Sequence, residues 1–332
     1  MWAKIRWTPA LGIATIVMIA ASPQRLAAQQ PEAAPCAGIP VKIGGADKCL
    51  KAGDSFHDAD GAPEVVIIPA GSFTMGSPAT EKNHSDTEAP QHDVTIAKPF
   101  ALGKYEVTRG QFAAFVKATG HDTSGGCFSW DGEDWTSLDD RSWRAPGFDQ
   151  DDRHPAACIS WNDATAYVAW LSKETRQAYR LPSEAEFEYA ARGQTRPGTY
   201  PRFWYGDSEE SQCASANGAD ATTAAVNKKI TWTIACSDGF AFTAPVGSLA
   251  ANAFGLHDMA GNVWQWTADC YEDSYNGAPG DGSSRTTSSC EKHVLRSGSW
   301  FDDPGNFRAA KRVSEVPVYR ANEFSFRVAR TL

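Results

Sequence analysis

An α+β fold with little regular secondary structure is what this 332-residue sequence predicts. Three observations predict it: a few short β-branched runs, three helices marked by their N-terminal caps before Gly193, and no strong helical period after that glycine. Twelve Trp, 28 Gly and 19 Pro describe a chain that packs aromatic rings between many turns rather than along long elements.

The elements follow in order. Lys4 and Arg6 precede a short apolar run at residues 11–21, and Ala27-Ala28 offers a small-residue cleavage site. Together they predict a cleavable export signal over 1–28, because the run is too short to span a bilayer comfortably; an uncleaved membrane anchor is the alternative. A polar, Pro-containing leader is expected over 29–61, with a loop that Cys36 and Cys49 could close. The main domain is expected over 62–332. It opens with Glu64-Val65-Val66-Ile67-Ile68-Pro69, read as a buried strand. Residues 71–76 and 92–96 continue as further strands. Thr108-Arg109-Gly110-Gln111 fits a capping box, with Phe112, Phe115 and Val116 on one face and Gly120 as terminator. Ser160 opens a second helix, in which Ala164, Tyr167, Val168 and Leu171 recur at helical spacing. Ser183 opens a third, ended by Gly193, and all three helices are expected to provide packing rather than chemistry.

Composition narrows the function classes. A net charge of -9 argues against a nucleic-acid surface, which needs a basic face. No later segment is apolar and long enough to cross a membrane, so the mature chain is expected to be periplasmic or secreted. The eight cysteines (Cys36, Cys49, Cys127, Cys158, Cys213, Cys236, Cys270 and Cys290) lack metal-cluster spacing and read as disulfides in an oxidising space. The connectivity is open from sequence. Sequential neighbours (36–49, 127–158, 213–236, 270–290) are favoured, since each would staple one loop-rich stretch.

Several segments, taken in series, carry a family resemblance. They are Ile68-Pro-Ala-Gly-Ser-Phe-Thr-Met-Gly-Ser77, Tyr105-Glu-Val-Thr108, Pro155-Ala-Ala-Cys-Ile-Ser-Trp161, Arg180-Leu-Pro-Ser-Glu-Ala-Glu-Phe-Glu-Tyr-Ala-Ala-Arg-Gly193, Gly255-Leu-His-Asp-Met-Ala-Gly-Asn-Val-Trp-Gln-Trp266, Arg296-Ser-Gly-Ser-Trp300 and Phe326-Arg327-Val328. In this order the chain resembles the formylglycine-generating enzyme, or sulfatase-modifying factor, family. The resemblance implies a C-type-lectin-like fold. It also implies one of several activities: copper-dependent oxidation of a sulfatase cysteine to formylglycine, iron-dependent sulfoxide synthesis, a periplasmic pyoverdine-maturation role, or binding without catalysis.

Each branch needs its own residues. The copper oxidases use two cysteines after the Gly-Ser-aromatic turn, because soft thiolates suit Cu(I). Here Asp302 stands at the place of the first, and no cysteine follows Cys290. Copper is therefore not expected. Cys270 and Cys290 would be the nearest relocated thiols for a formylglycine-generating oxidase, and both are expected to be disulfide-bonded. The sulfoxide synthases bind iron through a facial, mostly histidine set, and the seven histidines show no such spacing. His92 reads as structural, His84 and His121 as solvated loop residues.

The resemblance also implies structural calcium. One set would be Asn217 and Asp238 with the carbonyls of Gly218 and Phe240; a second would be Asp258 with the carbonyls of Gly261 and Val263. Gln265 stands where the family usually has Glu, removing a charge from the second set; Asx turns are the alternative reading of these residues. Candidate catalytic or clamping residues are Asp302, Asn306, Arg308 and Arg312, the arginines being able to hold a carboxylate or extended peptide if they face the cleft. An ion-pair network is the alternative. Trp264 and Trp300 could line a groove or belong to the core. A polypeptide or peptide-like ligand is the expected partner.

Overall fold

The computed structural model describes residues 18, 36–130, 133–193 and 200–332. The predicted export signal over 1–28 lies outside the described residues apart from Met18, as does the first part of the predicted leader. Residues Cys36–Leu332 form one compact unit, so the domain begins well before residue 62. The hairpin of Ile39–Ile43 and Ala46–Leu50 turns at Gly44 and Gly45, both at positive φ. A two-residue hairpin needs that backbone, which glycine supplies without strain. Val41 is buried in the main core, Ser55–Phe56 adds an edge strand to the principal sheet, and Asp58 accepts a 2.6 Å hydrogen bond from the Tyr179 hydroxyl. The structure differs from the predicted leader because the alternation of Ile39, Val41 and Ile43 spans only five residues, too short a pattern to mark a strand by itself.

The principal sheet runs Tyr179–Arg180, Ala329–Thr331, Phe100–Gly103, Val65–Ile68, Ser55–Phe56, with every pairing antiparallel. All four residues of Val65–Ile68 are buried, because both faces of the sheet are covered. Side chains alternate across a strand. Val65, Ile67 and Ala101 enter one hydrophobic core, and Val66, Ile68, Phe100 and Leu102 enter another. The first core holds the apolar faces of α1 (Arg109–Thr119) and α2 (Trp161–Thr175), the second that of α3 (Glu184–Arg192). Each fully buried Val, Ile or Phe contributes roughly 1.5–3 kcal/mol, so one apolar strand ties both layers together.

The three predicted helices form from the predicted caps. Thr108 Oγ1 accepts from Gln111 N at 3.2 Å while Gln111 Oε1 accepts from Thr108 N at 3.0 Å, and Gly120 closes the helix at φ 67°. Ser160 and Asp163, and Ser183 and Glu186, make the same reciprocal pair at α2 and α3. A fourth helix, α4 (Ala221–Val226), starts where Asp220 accepts from the amides of Thr222 and Thr223 at 2.7 and 3.1 Å. Six residues are too few to show a period.

A second sheet positions the site. Its order is Val313–Glu315, His293–Arg296, Trp264–Cys270, Phe324–Phe326, the last pair parallel. All eight cysteines are bonded, in the pairs 36–49, 127–158, 213–236 and 270–290.

Candidate functional site

The strand His293–Arg296 leaves the second sheet through a left-handed turn, Ser297 at φ 101° and Gly298 at φ 78°. A Cβ at Gly298 would sit 2.5 Å from the Phe307 ring, so only glycine lets the chain reverse here. The reversal presents Ser299, Trp300, Phe301 and Asp302, and a 3-10 turn over Pro304–Phe307 follows, capped by Asp303. Glu323 arrives from the other side, directly before Phe324–Phe326; its carbonyl accepts from Trp264 N at 2.8 Å.

Three side chains meet at this point. Ser299 Oγ lies 2.7 Å from Asp302 Oδ2 and 2.8 Å from Glu323 Oε2. A hydroxyl carries one hydrogen and can donate to only one of them, so the other contact needs a proton on a carboxyl. Electrostatics identifies its owner. Burial pushes Glu323 up to about 8, with the Asp302 charge adding to the effect. Burial also raises Asp302, but only to about 6, because Ser299 and the Trp264 indole hydrogen-bond its ionised form. The arrangement at neutral pH is therefore Glu323 as acid donating to Ser299 Oγ, and Ser299 donating to the Asp302 carboxylate. Asn306 Nδ2 donates to Asp302 Oδ1 at 2.7 Å, and Ser299 N donates to Asp302 Oδ2 at 2.9 Å. Two carboxyl groups sharing one proton through a hydroxyl can take up and release protons near neutrality.

Aromatic rings flank the turn. Trp300 packs edge-on against Phe242 and Phe148, which stack on each other at 4.9 Å. Phe301 contacts Trp130, Trp135 and Trp232 at ring distances of 5.0–5.1 Å. Trp264 and Trp300 are both buried; Trp300 nonetheless lines a cavity of about 390 Å³, whereas Trp264 lies behind the carboxyl pair.

Of the four candidate catalytic residues, the structure brings Asp302 and Asn306 together and commits the two arginines elsewhere. Arg308 is fully buried and makes a bidentate pair with Glu88 at 2.6 and 2.7 Å, plus a 2.7 Å bond to Glu81. Arg312 pairs with Glu184 at 2.7 and 2.9 Å. Neither guanidinium faces a free ligand position; the ion-pair alternative describes them. Sequence reasoning missed Glu323 and Ser299 as partners, since nothing local marks two residues 24 apart that meet only through a sheet register. His121 and His84 also differ from expectation: His121 Nε2 bonds Asp163 at 2.8 Å and His84 Nδ1 meets Ser77 Oγ at 2.7 Å, both partly buried.

The first predicted calcium set gathers around α4. Asp238 accepts from the amides of Gly218 and Phe240 at 3.2 and 2.7 Å, and its own amide donates to Asp220. Burial, followed by the Asp220 charge, pushes Asp238 up to about 7. Asn217 gives its amide hydrogens to Phe242 O and Asn262, leaving its Oδ1 buried without a partner. The second set is arranged differently. Arg327 donates to the carbonyls of Gly103, His257 and Asp258 and to Gln265 Oε1. That last bond fixes the Gln265 amide, whose Nε2 donates to Asp258 O at 2.8 Å. The Gly261 carbonyl accepts from Ser297 Oγ and Val263 N. Cys270, Cys290 and His293 also cluster, but the two sulfurs are bonded to each other, and His293 stacks on Trp161.

Comparison with known proteins agrees with the motifs. The model of the sulfatase-modifying factor enzyme 1-like domain matches residues 51–332. The formylglycine-generating enzyme of Thermomonospora curvata is 31% identical over 299 residues, covering 81% of this chain and 93% of that relative. The inactive C-alpha-formylglycine-generating enzyme 2 of Mus musculus is 30% identical over 301 residues, covering 80% and 85%. Among solved structures, PvdO from Pseudomonas aeruginosa superposes with a TM-score of 0.72 at 41% identity, covering 85% of this chain and all of that one. The chain belongs to the sulfatase-modifying factor family and has the α+β fold of the formylglycine-generating enzymes.

Proposed function

We propose that this protein is an exported family member that works without a copper dithiolate, using Asp302, Ser299 and Glu323 to move protons on a peptide-like ligand. The observation that carries this reading is the single Ser299 hydroxyl bridging two carboxyl groups, which holds one of them protonated. In the step proposed, the Asp302 carboxylate accepts a proton from the ligand, Glu323 delivers its own to the ligand through Ser299, and the Asp302 proton then passes back to Glu323 along the same hydroxyl to reset the pair. No electron transfer is involved. The four disulfides leave no thiol to hold Cu(I), and disulfides at this density suit an oxidising compartment.

Calcium forms part of the same proposal. The residues of the first set fit it: the unpartnered Asn217 Oδ1 and the Asp238 and Asp220 carboxylates are hard oxygen donors crowded together. Asn217 and Asp238, with the Gly218 and Phe240 carbonyls, would hold the ion, whose role there is to neutralise the acidic pair. The second set does not fit: the Asp258 carboxyl already accepts from Gly247 N at 2.8 Å and has the positive charge of Arg327 near it, and Gln265 has neither amide atom to spare.

A pool of peptides incubated with the protein in D2O tests the reading. Carbon-bound deuterium is expected in a subset of peptides with the wild type, and loss of that exchange with Asp302→Asn and Glu323→Gln. Retention of peptides without exchange would support binding alone, the second reading, which the likeness to an inactive mouse relative favours. Conversion of a Cys-x-Pro-x-Arg peptide to formylglycine in the presence of Cu(I) would overturn both.

A further inference from the structure

The Cys270–Cys290 disulfide has a histidine against it. Cys270 ends the strand Trp264–Cys270 and is the direct cross-strand partner of His293 in the antiparallel pairing, so the two side chains share one face. Cys290 stands three residues before His293. Both sulfurs and a ring nitrogen thereby fall within 4.8 Å of one another, and no second group of three such donors closes this tightly among the described residues. Cys290 is half-buried at the end of the exposed stretch 286–289, whereas Cys270 and His293 are buried.

The imidazole is already set as a ligand. Its Nδ1 lies 3.1 Å from the Asp269 carbonyl, which can only accept, so Nδ1 carries the hydrogen and Nε2 keeps its lone pair. A carbonyl on the second ring nitrogen is the usual support of a metal-bound histidine. Trp161 stacks on the ring at 3.7 Å and 8°. Cys290 Sγ lies 3.6 Å from Nε2 and 3.8 Å from Nδ1. A tetrahedral ion with sulfur at about 2.3 Å and imidazole nitrogen at about 2.0 Å spaces those two donors roughly 3.5 Å apart. Bonds outside the disulfide hold the same segments together: Tyr271 N to Lys292 O at 2.9 Å, Cys270 N to Arg285 O at 2.8 Å, and Arg285 N to Asp269 Oδ1 at 2.8 Å. Opening the disulfide therefore leaves the three donors side by side, with each sulfur able to swing about its Cα–Cβ bond.

We propose that Cys270, Cys290 and His293 are a redox-gated zinc site: closed while the disulfide is intact, and binding one Zn2+ once a dithiol has reduced it. A thiolate of the reductant attacks Cys290 Sγ, the more accessible sulfur, and Cys270 leaves as a thiolate. The second thiol of the reductant then displaces Cys290 and closes its own disulfide. Two electrons pass to the protein, and the two protons of the reductant go to solvent. Zn2+ takes both thiolates and His293 Nε2, and water from the Cys290 side fills the fourth position. The inference is independent of the carboxyl pair and of the function proposed for it.

Metal titration of the full chain tests it, before and after reduction with dithiothreitol and desalting without oxygen. Co2+ reports ligation through its thiolate charge-transfer band, and Zn2+ affinity is read by competition with a chromophoric chelator. The reduced protein should bind one equivalent at least about a hundredfold more tightly than the oxidised protein, which shows no such band. His293→Gln should weaken the reduced site about tenfold or more with an unchanged thiol count. Cys270→Ser with Cys290→Ser should abolish the band. Cys36→Ser with Cys49→Ser removes the other exposed disulfide and should bind like wild type, which separates this site from thiols released elsewhere. Near-ultraviolet circular dichroism of the reduced wild type should stay native, so the test does not depend on how any variant folds. No band in the reduced wild type, loss of the native spectrum on reduction, equal affinity in His293→Gln, or a band that survives Cys270→Ser with Cys290→Ser would each overturn the inference.

Discussion

Glu323→Gln should make the protein more tolerant of high pH. Burial raises the Glu323 carboxyl from 4.5 to about 8, so folding favours its protonated form. The sign follows from linkage: the folded state binds this proton more tightly than the unfolded chain does, and stability from it is full below the unfolded value of 4.5 and lost as pH rises through about 8. At 1.36 kcal/mol per pH unit over that interval the loss has an upper bound of roughly 4–5 kcal/mol. Glu323 keeps partial solvent access and shares its proton with Asp302 through Ser299, so about 2 kcal/mol is the expected size. Glutamine preserves the geometry, since its amide can donate to Ser299 Oγ as the carboxylic acid does, and it has no proton to lose. Urea unfolding of wild type and variant at about pH 5 and about pH 9 measures the difference. The wild type should lose about 2 kcal/mol more than the variant between the two conditions. Other buried carboxyls with raised values, Glu106, Asp238, Asp258 and Asp269, contribute to both proteins and cancel. Identical pH dependence in the two would refute the shared-proton arrangement.

Three further outcomes are expected. Arg308→Met leaves the fully buried Glu88 carboxylate without its bidentate partner, and should cost about 3 to 5 kcal/mol in chemical denaturation; a loss below about 1 kcal/mol would show that the pair is not closed in solution. Chelation with EGTA should lower the thermal midpoint of the wild type by several degrees, about 2–4 °C per kcal/mol at this size, and should have no effect on Asp238→Asn; a midpoint unmoved in wild type removes calcium from the proposal. Thiol titration of the denatured but unreduced protein should find none, and replacing Cys213 and Cys236 together by serine should cost about 2 to 4 kcal/mol; a free thiol in the native chain contradicts the pairing.

Parts of this protein could be read from sequence because their causes are local. The capping boxes at Thr108, Ser160 and Ser183 and the glycines that end two of the helices act within a turn of the residues that reveal them. The buried run at residues 65–68 shows its nature by composition alone. Disulfide pairing followed chain order because each bond closes a single loop. What stayed hidden depends on distance along the chain. Arg308 meets Glu88 across 220 residues, and no local pattern separates that arginine from one facing a cleft. Glu323 acquires its role only because the parallel register of Phe324–Phe326 on Trp264–Cys270 carries it beside the Ser299 turn. The hairpin at residues 39–50 is hidden within the predicted leader because Val41 alone is fully buried, with Ile39, Ile43 and Leu50 only partly covered beside it. Gln265 shows a further limit: its departure from Glu was visible as a lost charge, but the Arg327 bond that fixes its amide belongs to the folded chain.

The most direct test of the carboxyl pair is a carbon-13 NMR titration of the side-chain carboxyls of Asp302 and Glu323, assigned through Asp302→Asn and Glu323→Gln. Coupled titrations with apparent values near 6 and 8, and a shift at each residue when the other is replaced, are the predicted result. Two independent titrations in the ordinary carboxylate range, below about 5, would contradict the account.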